Sequence, residues 1–141
     1  MREIKFRAWL IKPELTTLKQ KMYYNVGISF SDCGMSIELR RPMISDVHWC
    51  PTHPAPFFEL MQWTGLKDKN GVDVYEGDII KVYNWGILSR DQVLGVTQVI
   101  WDVDECGWRY ENPLGAEDFY DQFRNVEVIG NIHENPELLG D

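Results

Sequence analysis

The chain has 141 residues, of which 44% are hydrophobic and 26% are charged. This length fits one domain, or two very small domains that share a core, and the composition excludes an intrinsically disordered chain. The net charge of −8 argues against generic nucleic-acid binding, because neutralising phosphates requires a net positive face. No segment approaches the roughly 20 consecutive apolar residues that span a bilayer.

The charge is unevenly distributed along the chain. Residues 1–41 have a local balance of +4, whereas residues 42–141 have a balance of −12. The two parts could attract each other within one chain or between subunits. The three cysteines form an odd set, which argues against a disulfide framework, and the N-terminus lacks the apolar run of a signal peptide. We therefore expect a protein of a reducing cytoplasm.

The first part of the chain predicts two strands with period-two alternation. One covers Glu3–Leu10 and ends before Pro13, and the other covers Met22–Phe30. We expect them to pair in antiparallel fashion. Three prolines within Cys50–Pro56 predict an irregular loop or a sheet edge, not a regular element.

The remaining segments predict more short strands, joined by tight turns. Turns are expected at Asn70-Gly71, at Glu76–Asp78 and at the tip of a hairpin over residues 104–107. An aromatic stripe predicts a helix over Gly115–Phe123, and an Asn-Pro pair predicts one helical turn over Pro136–Leu139. Strands are predicted at residues 35–39, 43–49, 58–64, 72–75, 79–83, 95–103, 107–110 and 126–132. This pattern predicts an all-β barrel or sandwich with one or two short helices.

Four soft or nitrogen donors form the sharpest candidate for a metal site. Cys33, His48, Cys50 and His53 are ligand types that suit tetrahedral zinc. The paired spacing of a structural zinc site is absent, however, so a proline-rich surface loop with incidental polar residues is the favoured interpretation. A thiol–imidazole nucleophile at Cys50 is weaker still, because a flexible loop lacks the rigid scaffold that catalysis requires. We expect no cofactor.

Carboxylates cluster at two predicted turns and could serve as acid and base or hold a divalent cation. Neither cluster has the spacing of a calcium loop, and aspartate is common in turns, so solvated turns are favoured. Asp78 is the exception, since its carboxylate is expected to accept backbone N–H bonds in its turn. No glycine-rich phosphate-binding motif is present. The clusters are Asp73, Glu76 and Asp78, and Asp102, Asp104 and Glu105. The sequence thus predicts no enzymatic activity.

The first strand offers a basic and aromatic face formed by Arg2, Lys5, Arg7 and Trp9. Small β-barrels can present such a face to single-stranded nucleic acid. A solvent-exposed face or a subunit contact is the simpler explanation of the same alternation. Both interpretations stay open at this point.

Three blocks of sequence carry a family resemblance. They are REIKFRAW at residues 2–9, LMQWTGLKDKNG at 60–71 followed by YEGDII at 75–80, and VIGNIHENPEL at 128–138. In this order they resemble the YopX family of phage and prophage proteins. Residues 31–56 match no pattern of the family, so features specific to this chain are expected there.

The resemblance implies a β-rich fold with an SH3-like barrel-type core and an additional N-terminal antiparallel strand region. It implies one domain over residues 1–141, with a possible subdivision into 1–56 and 57–141. It also implies self-association and a phage or prophage origin, hence the cytoplasm of a bacterial host cell. No activity follows, because the function of the family is unassigned. We expect a non-enzymatic, self-associating interaction module with a host or phage protein partner. Single-stranded nucleic-acid binding is the alternative, and a zinc-containing protein is a remote one.

Overall fold

The fold is that of a computed structural model, which describes part of the chain in eight ranges. These are residues 3–15, 18–32, 34–39, 52–54, 57–84, 91–114, 119–120 and 123–140. The chain divides into two compact units, Met1–Gln62 and Trp63–Asp141. Within the described residues, no helix is both long and apolar enough to cross a membrane.

Antiparallel strands make up most of the described structure. They are β1 (Phe6–Leu10), β2 (Met22–Tyr24), β3 (Gly27–Ser31), β4 (Gly34–Glu38), β5 (Thr52–Pro54), β6 (Phe58–Lys67), β7 (Asp73–Tyr75), β8 (Asp78–Tyr83), β9 (Val93–Asp102), β10 (Gly107–Glu111), β11 (Phe119–Tyr120) and β12 (Val126–Asn131). Short 3-10 helices lie at Pro13–Leu15, Phe123–Asn125 and Pro136–Leu139. The predicted all-β fold class is confirmed, and the curled antiparallel sheets form a half-barrel, in keeping with the SH3-like core that the resemblance implies.

In the first unit, β1 lies between β2 and the beginning of β6. Ala8 pairs with Tyr23 of β2 and with Leu60 of β6, so both edges of β1 are hydrogen-bonded. Ala8 and Leu10 alternate inward and are fully buried, as period two requires. The core of the unit is completed by Val26, Ile37, Leu39 and Phe58. The predicted antiparallel pairing of the first two segments is therefore confirmed.

The second predicted segment, Met22–Phe30, is nevertheless two strands and not one. Asn25 has a φ of +52°, a left-handed conformation that interrupts the extended backbone. The chain then starts β3 at Gly27, and β3 joins a different sheet, in which β4 lies between β3 and β5. β5 occupies an edge of that sheet, which agrees with the edge expected for the proline-rich segment. The strand predicted at 43–49 lies outside the described residues.

In the second unit, five strands form one sheet in the order β11-β10-β9-β8-β12. The hairpin predicted at residues 95–110 is confirmed as β9 and β10. Their pairing starts next to the turn, where Gly107 lies opposite Asp102, and continues to Tyr110 opposite Val99. The core residues of this unit come from this sheet, from β7 and from the 3-10 helix that begins at Phe123. They are Val74, Ile80, Val82, Val99, Tyr110, Phe123 and Val126. The predicted last strand and the helical turn after Asn135 are also confirmed.

The helix predicted over Gly115–Phe123 is wrong in its described part. Phe119–Tyr120 form β11, which pairs with Tyr110 and Glu111 of β10. Phe123 begins a 3-10 helix, and its ring packs edge-to-face on Tyr110 with centroids 5.4 Å apart. Phe123 thus belongs to a β core, and pairing with β10 satisfies the backbone of Phe119–Tyr120 that a helix would have satisfied internally. The rest of the predicted helix, at 115–118 and 121–122, lies outside the described residues.

Candidate interaction surface

The basic face predicted on the first strand is only partly exposed. Arg7 is 2% exposed, and β1 is flanked by β2 on one edge and by β6 on the other. Lys5 and Trp9 are half-buried, and Lys5 lies 3.5 Å from the carboxylate of Glu3. Arg2 lies outside the described residues. The structure therefore does not bring the described members together as one exposed cationic set.

The candidate zinc ligands fall mainly outside the described residues. This applies to Cys33, His48 and Cys50, whereas the backbone of His53 belongs to β5 and pairs with Ile37 of β4. In the part of the chain that the structure describes, no group of three or more His, Cys, Asp or Glu side chains could hold a metal ion. The zinc hypothesis stays a prediction.

Asp78 holds its turn as the sequence predicted. Its Oδ2 accepts a hydrogen bond from the backbone N–H of Tyr75 at 2.7 Å, which closes the turn between β7 and β8. Asp78 is only 1% exposed, however. The expectation of a solvated turn is therefore wrong at this residue. The second cluster is exposed at Asp104 and Glu105, where a solvated turn was expected, and Asp102 Oδ1 accepts the backbone N–H of both.

Asp68 is a buried carboxylate that the sequence did not single out. Its Oδ1 accepts N–H bonds from Asn70 at 2.8 Å and from Val72 at 2.9 Å, which shapes the turn between β6 and β7. Its Oδ2 accepts the N–H of Val128 at 2.9 Å, a residue of β12 that is 60 positions away. The backbone N–H of Lys69 also bonds to the carbonyl of Val126. This turn therefore caps the outer edge of β12.

A polar cluster also lies where β8 and β12 pair. The hydroxyl of Tyr83 donates a hydrogen bond to Glu127 Oε2 at 2.6 Å, and the ammonium of Lys69 lies 3.6 Å from the centre of the Tyr83 ring. The bond to Glu127, then burial, then the charges of Glu127 and Asp91 raise the pKa of Tyr83 above its ordinary value. A raised pKa makes the hydroxyl a weaker acid, which keeps it protonated as the donor to Glu127. The hydrogen bond thus links β8 to β12.

The outer edge of β3 carries an exposed aromatic ring. Phe30 is 79% exposed and lies opposite Met35, which is itself exposed. One position inward on the same face, Ile28 lies opposite the fully buried Ile37. An apolar stripe therefore runs from the core of the first unit out to the end of the hairpin, with its large ring in solvent.

A second apolar feature lies at the end of the β9–β10 hairpin. Trp101 and Trp108 are cross-strand partners whose rings meet edge-to-face, with centroids 4.8 Å apart. Trp108 packs against the core of the second unit, while Trp101 stays 44% exposed. The sequence analysis did not single out this pair, and the signal that could have found it is its nearness to the predicted hairpin tip.

Known proteins resemble the chain over nearly its full length. The family model described as YopX protein matches residues 5–140. The crystal structure of protein EF1440 from Enterococcus faecalis is 28% identical with a TM-score of 0.66, and the match covers 99% of both chains. Protein yopX from Bacillus subtilis is 17% identical with a TM-score of 0.55, over 97% of this chain and 96% of that one, and shows the fold alone. No curated protein matches the chain.

Proposed function

We propose that this chain, which belongs to the YopX family, is a non-enzymatic protein-interaction module that self-associates through the outer edge of β3. No activity is assigned to the family, and the two similar solved proteins are uncharacterised. The single observation that carries the proposal is the uncharged edge Gly27–Ser31 with the exposed ring of Phe30. Natural sheets usually blunt such edges with lysine, proline or a bulge.

The strand is self-complementary when two copies pair in antiparallel fashion. A two-fold axis at Ser29 places Phe30 of one copy opposite Ile28 of the other, and the same contact occurs twice. Because Ile28 and Phe30 share a face, each exposed ring would cover an apolar neighbour of the second copy. No residue of β3 is charged, so like charges do not oppose the pairing.

Pairing along five residues buries less area than the roughly 1,200 Å² at which stable protein interfaces begin. We therefore expect a weak dimer that dissociates on dilution and that is observed at high micromolar concentration. Analytical ultracentrifugation from about 10 µM to about 1 mM should show the weight-average mass rising toward that of a dimer. Phe30→Lys places a charge on the edge and should hold the chain at monomer mass throughout this range.

The matched control is Leu114→Lys, which changes an equally exposed apolar residue of the second unit. This variant should dimerise like the unchanged chain. A strict monomer at all concentrations would refute self-association. A dimer that survives Phe30→Lys would place the contact elsewhere and refute the role of β3.

Protein binding is better supported than nucleic-acid binding. The alternative relied on the cations of the first strand, yet Arg7 is buried and Lys5 lies beside Glu3. The net charge of −8 opposes phosphate as well. A phage or prophage origin, a cytoplasmic location and a host or phage partner belong to the same proposal, and their support is the family resemblance.

A further inference from the structure

The tryptophan pair of the β9–β10 hairpin is held as a rigid platform. Trp108 is anchored because it packs against the core of the second unit, and its ring meets Trp101 edge-to-face at 4.8 Å. Trp101 is therefore fixed in orientation although 44% of it is exposed, and the 75% exposed Val103 continues the apolar surface onto the turn. A large exposed aromatic surface held in this way resembles an interface anchor more than core packing.

The turn beside this platform is acidic. Asp102 organises the turn by accepting two backbone N–H bonds, and the exposed carboxylates of Asp104 and Glu105 follow it. Arg109 lies 3.8 Å from Asp102 and 3.5 Å from Glu105, so it offsets part of their charge. Because Arg109 follows Trp108 directly in a strand, it faces away from the tryptophans. Asp102, which follows Trp101 directly, faces away as well and pairs with Arg109, as does Glu105. The negative charge beside the platform is therefore that of the exposed Asp104, which forms no ion pair with the described residues.

We infer that the platform formed by Trp101, Trp108 and Val103 binds a cationic peptide segment of a protein partner. An arginine side chain of the partner lies over the exposed indole of Trp101, and an adjacent apolar side chain contacts Val103. The acidic turn favours that cation and repels a nucleic-acid phosphate, which makes a peptide the better fit than a stacked base. This inference rests on the proposed function and specifies the chemical class of the partner.

The test is fluorescence anisotropy with the full chain and a labelled synthetic peptide of alternating arginine and leucine. A peptide of alternating glutamate and leucine serves as the charge-reversed probe. We expect only the arginine peptide to bind, and raising salt from about 50 to about 300 mM should weaken binding several-fold. Trp101→Ala should weaken it about tenfold, and Asp104→Asn about two- to threefold.

Leu114→Ala and Glu134→Gln change exposed residues of the same unit that belong neither to β9 and β10 nor to the turn between them. Both variants should bind like the unchanged chain. If Trp101→Ala fails to fold, two milder variants still decide the outcome. They are Trp101→Phe, which retains an aromatic face, and Asp104→Asn, and we expect intermediate affinities for both. Equal affinity in all platform variants, or no binding of the arginine peptide, overturns the inference. A labelled 12-nucleotide deoxythymidine strand that binds in place of the peptide overturns it too.

Repeating the titration with Phe30→Lys separates this inference from the proposed self-association. Peptide binding that persists in a monomeric variant supports both ideas independently. Peptide binding together with an unchanged dimer mass in Phe30→Lys refutes the β3 contact alone. If Phe30→Lys is monomeric and neither this variant nor the unchanged chain binds the peptide, the platform alone is refuted.

Discussion

Replacing Asp68 by alanine should be among the most destabilising single changes at a polar residue of the second unit. The carboxylate is buried and accepts three backbone N–H bonds, two within its own turn and one from Val128 of β12. Alanine leaves the turn without its internal acceptor and removes the side-chain link from the turn to the last strand. The backbone bond from Lys69 to Val126 remains and now holds that edge without support from Asp68.

The magnitude follows from how well each donor can be hydrated. The N–H groups of Asn70 and Val72 belong to exposed residues, so losing their acceptor costs about 1 kcal/mol each. The N–H of Val128 lies on a half-buried strand and loses a charged acceptor, which costs about 1.5–2 kcal/mol. Asp68→Ala should therefore lower the free energy of unfolding by about 3.5–4 kcal/mol, a large share of the roughly 5–15 kcal/mol available to a domain.

Urea unfolding followed by tryptophan fluorescence measures this loss as a shift in the midpoint. With a denaturant slope of about 2 kcal/mol/M, the shift should be about 2 M. The matched control is Asp73→Asn, which breaks the exposed ion pair to Lys67 near the same turn and should cost less than about 0.5 kcal/mol. Asp68→Asn keeps one acceptor oxygen and should fall between the two. If Asp68→Ala costs no more than Asp73→Asn, the buried carboxylate does not hold this edge.

Two further predictions concern the same sheet. Because the bond to Glu127 and burial raise the pKa of Tyr83, the unfolded chain ionises first, so the stability from this bond is full below about pH 10 and is lost as pH rises further. Tyr83→Phe should lower the free energy of unfolding, measured with urea, by about 1–2 kcal/mol at pH 7. The variant should also lose less of this free energy between about pH 10 and 11 than the unchanged chain. An equal loss in both chains would contradict the assignment. Gly95→Ala should cost about 1–3 kcal/mol by urea unfolding, since its Cβ would lie 2.5 Å from Cβ of Pro113, whereas Gly107→Ala, with only an ordinary 3.8 Å contact, should cost less than about 1 kcal/mol. Equal costs at the two glycines would show that Pro113 yields easily.

The parts of the fold predicted from sequence are those fixed by local chemistry. Alternation places Ala8 and Leu10 in the core, and the carboxylate of Asp78 bonds to a backbone group only three residues away. The helix predicted over Gly115–Phe123 was wrong at its described residues, because aromatic spacing alone does not distinguish a helix from a short strand beside β10.

The burial of Arg7 and the role of Asp68 depend on distant parts of the chain. Arg7 pairs with Tyr24 and with Met61, so its surroundings are set by segments that lie 17 and 54 residues away. The partner of Asp68 on β12 is 60 residues away. Period-two alternation tells which face a side chain occupies, and it does not tell whether a second layer covers that face. For this reason the basic face was predicted to include an exposed Arg7, and the hydrogen bond from β12 to Asp68 was not predicted.

The edge strands β12 and β3 differ in how they are protected, and this contrast bears on where we propose that the protein binds. On β12, the carbonyl of Val126 and the N–H of Val128 are both engaged by the turn at Asp68 and Lys69, so this edge has little left to offer a second chain. On β3, no turn or side chain caps the edge among the described residues, and the strand carries an exposed phenylalanine in place of a protecting charge. An unprotected edge risks aggregation unless it has a partner. If the chain self-associates as proposed, the capped edge of β12 is disfavoured as the contact and β3 is favoured, which leaves the tryptophan platform available for a different protein.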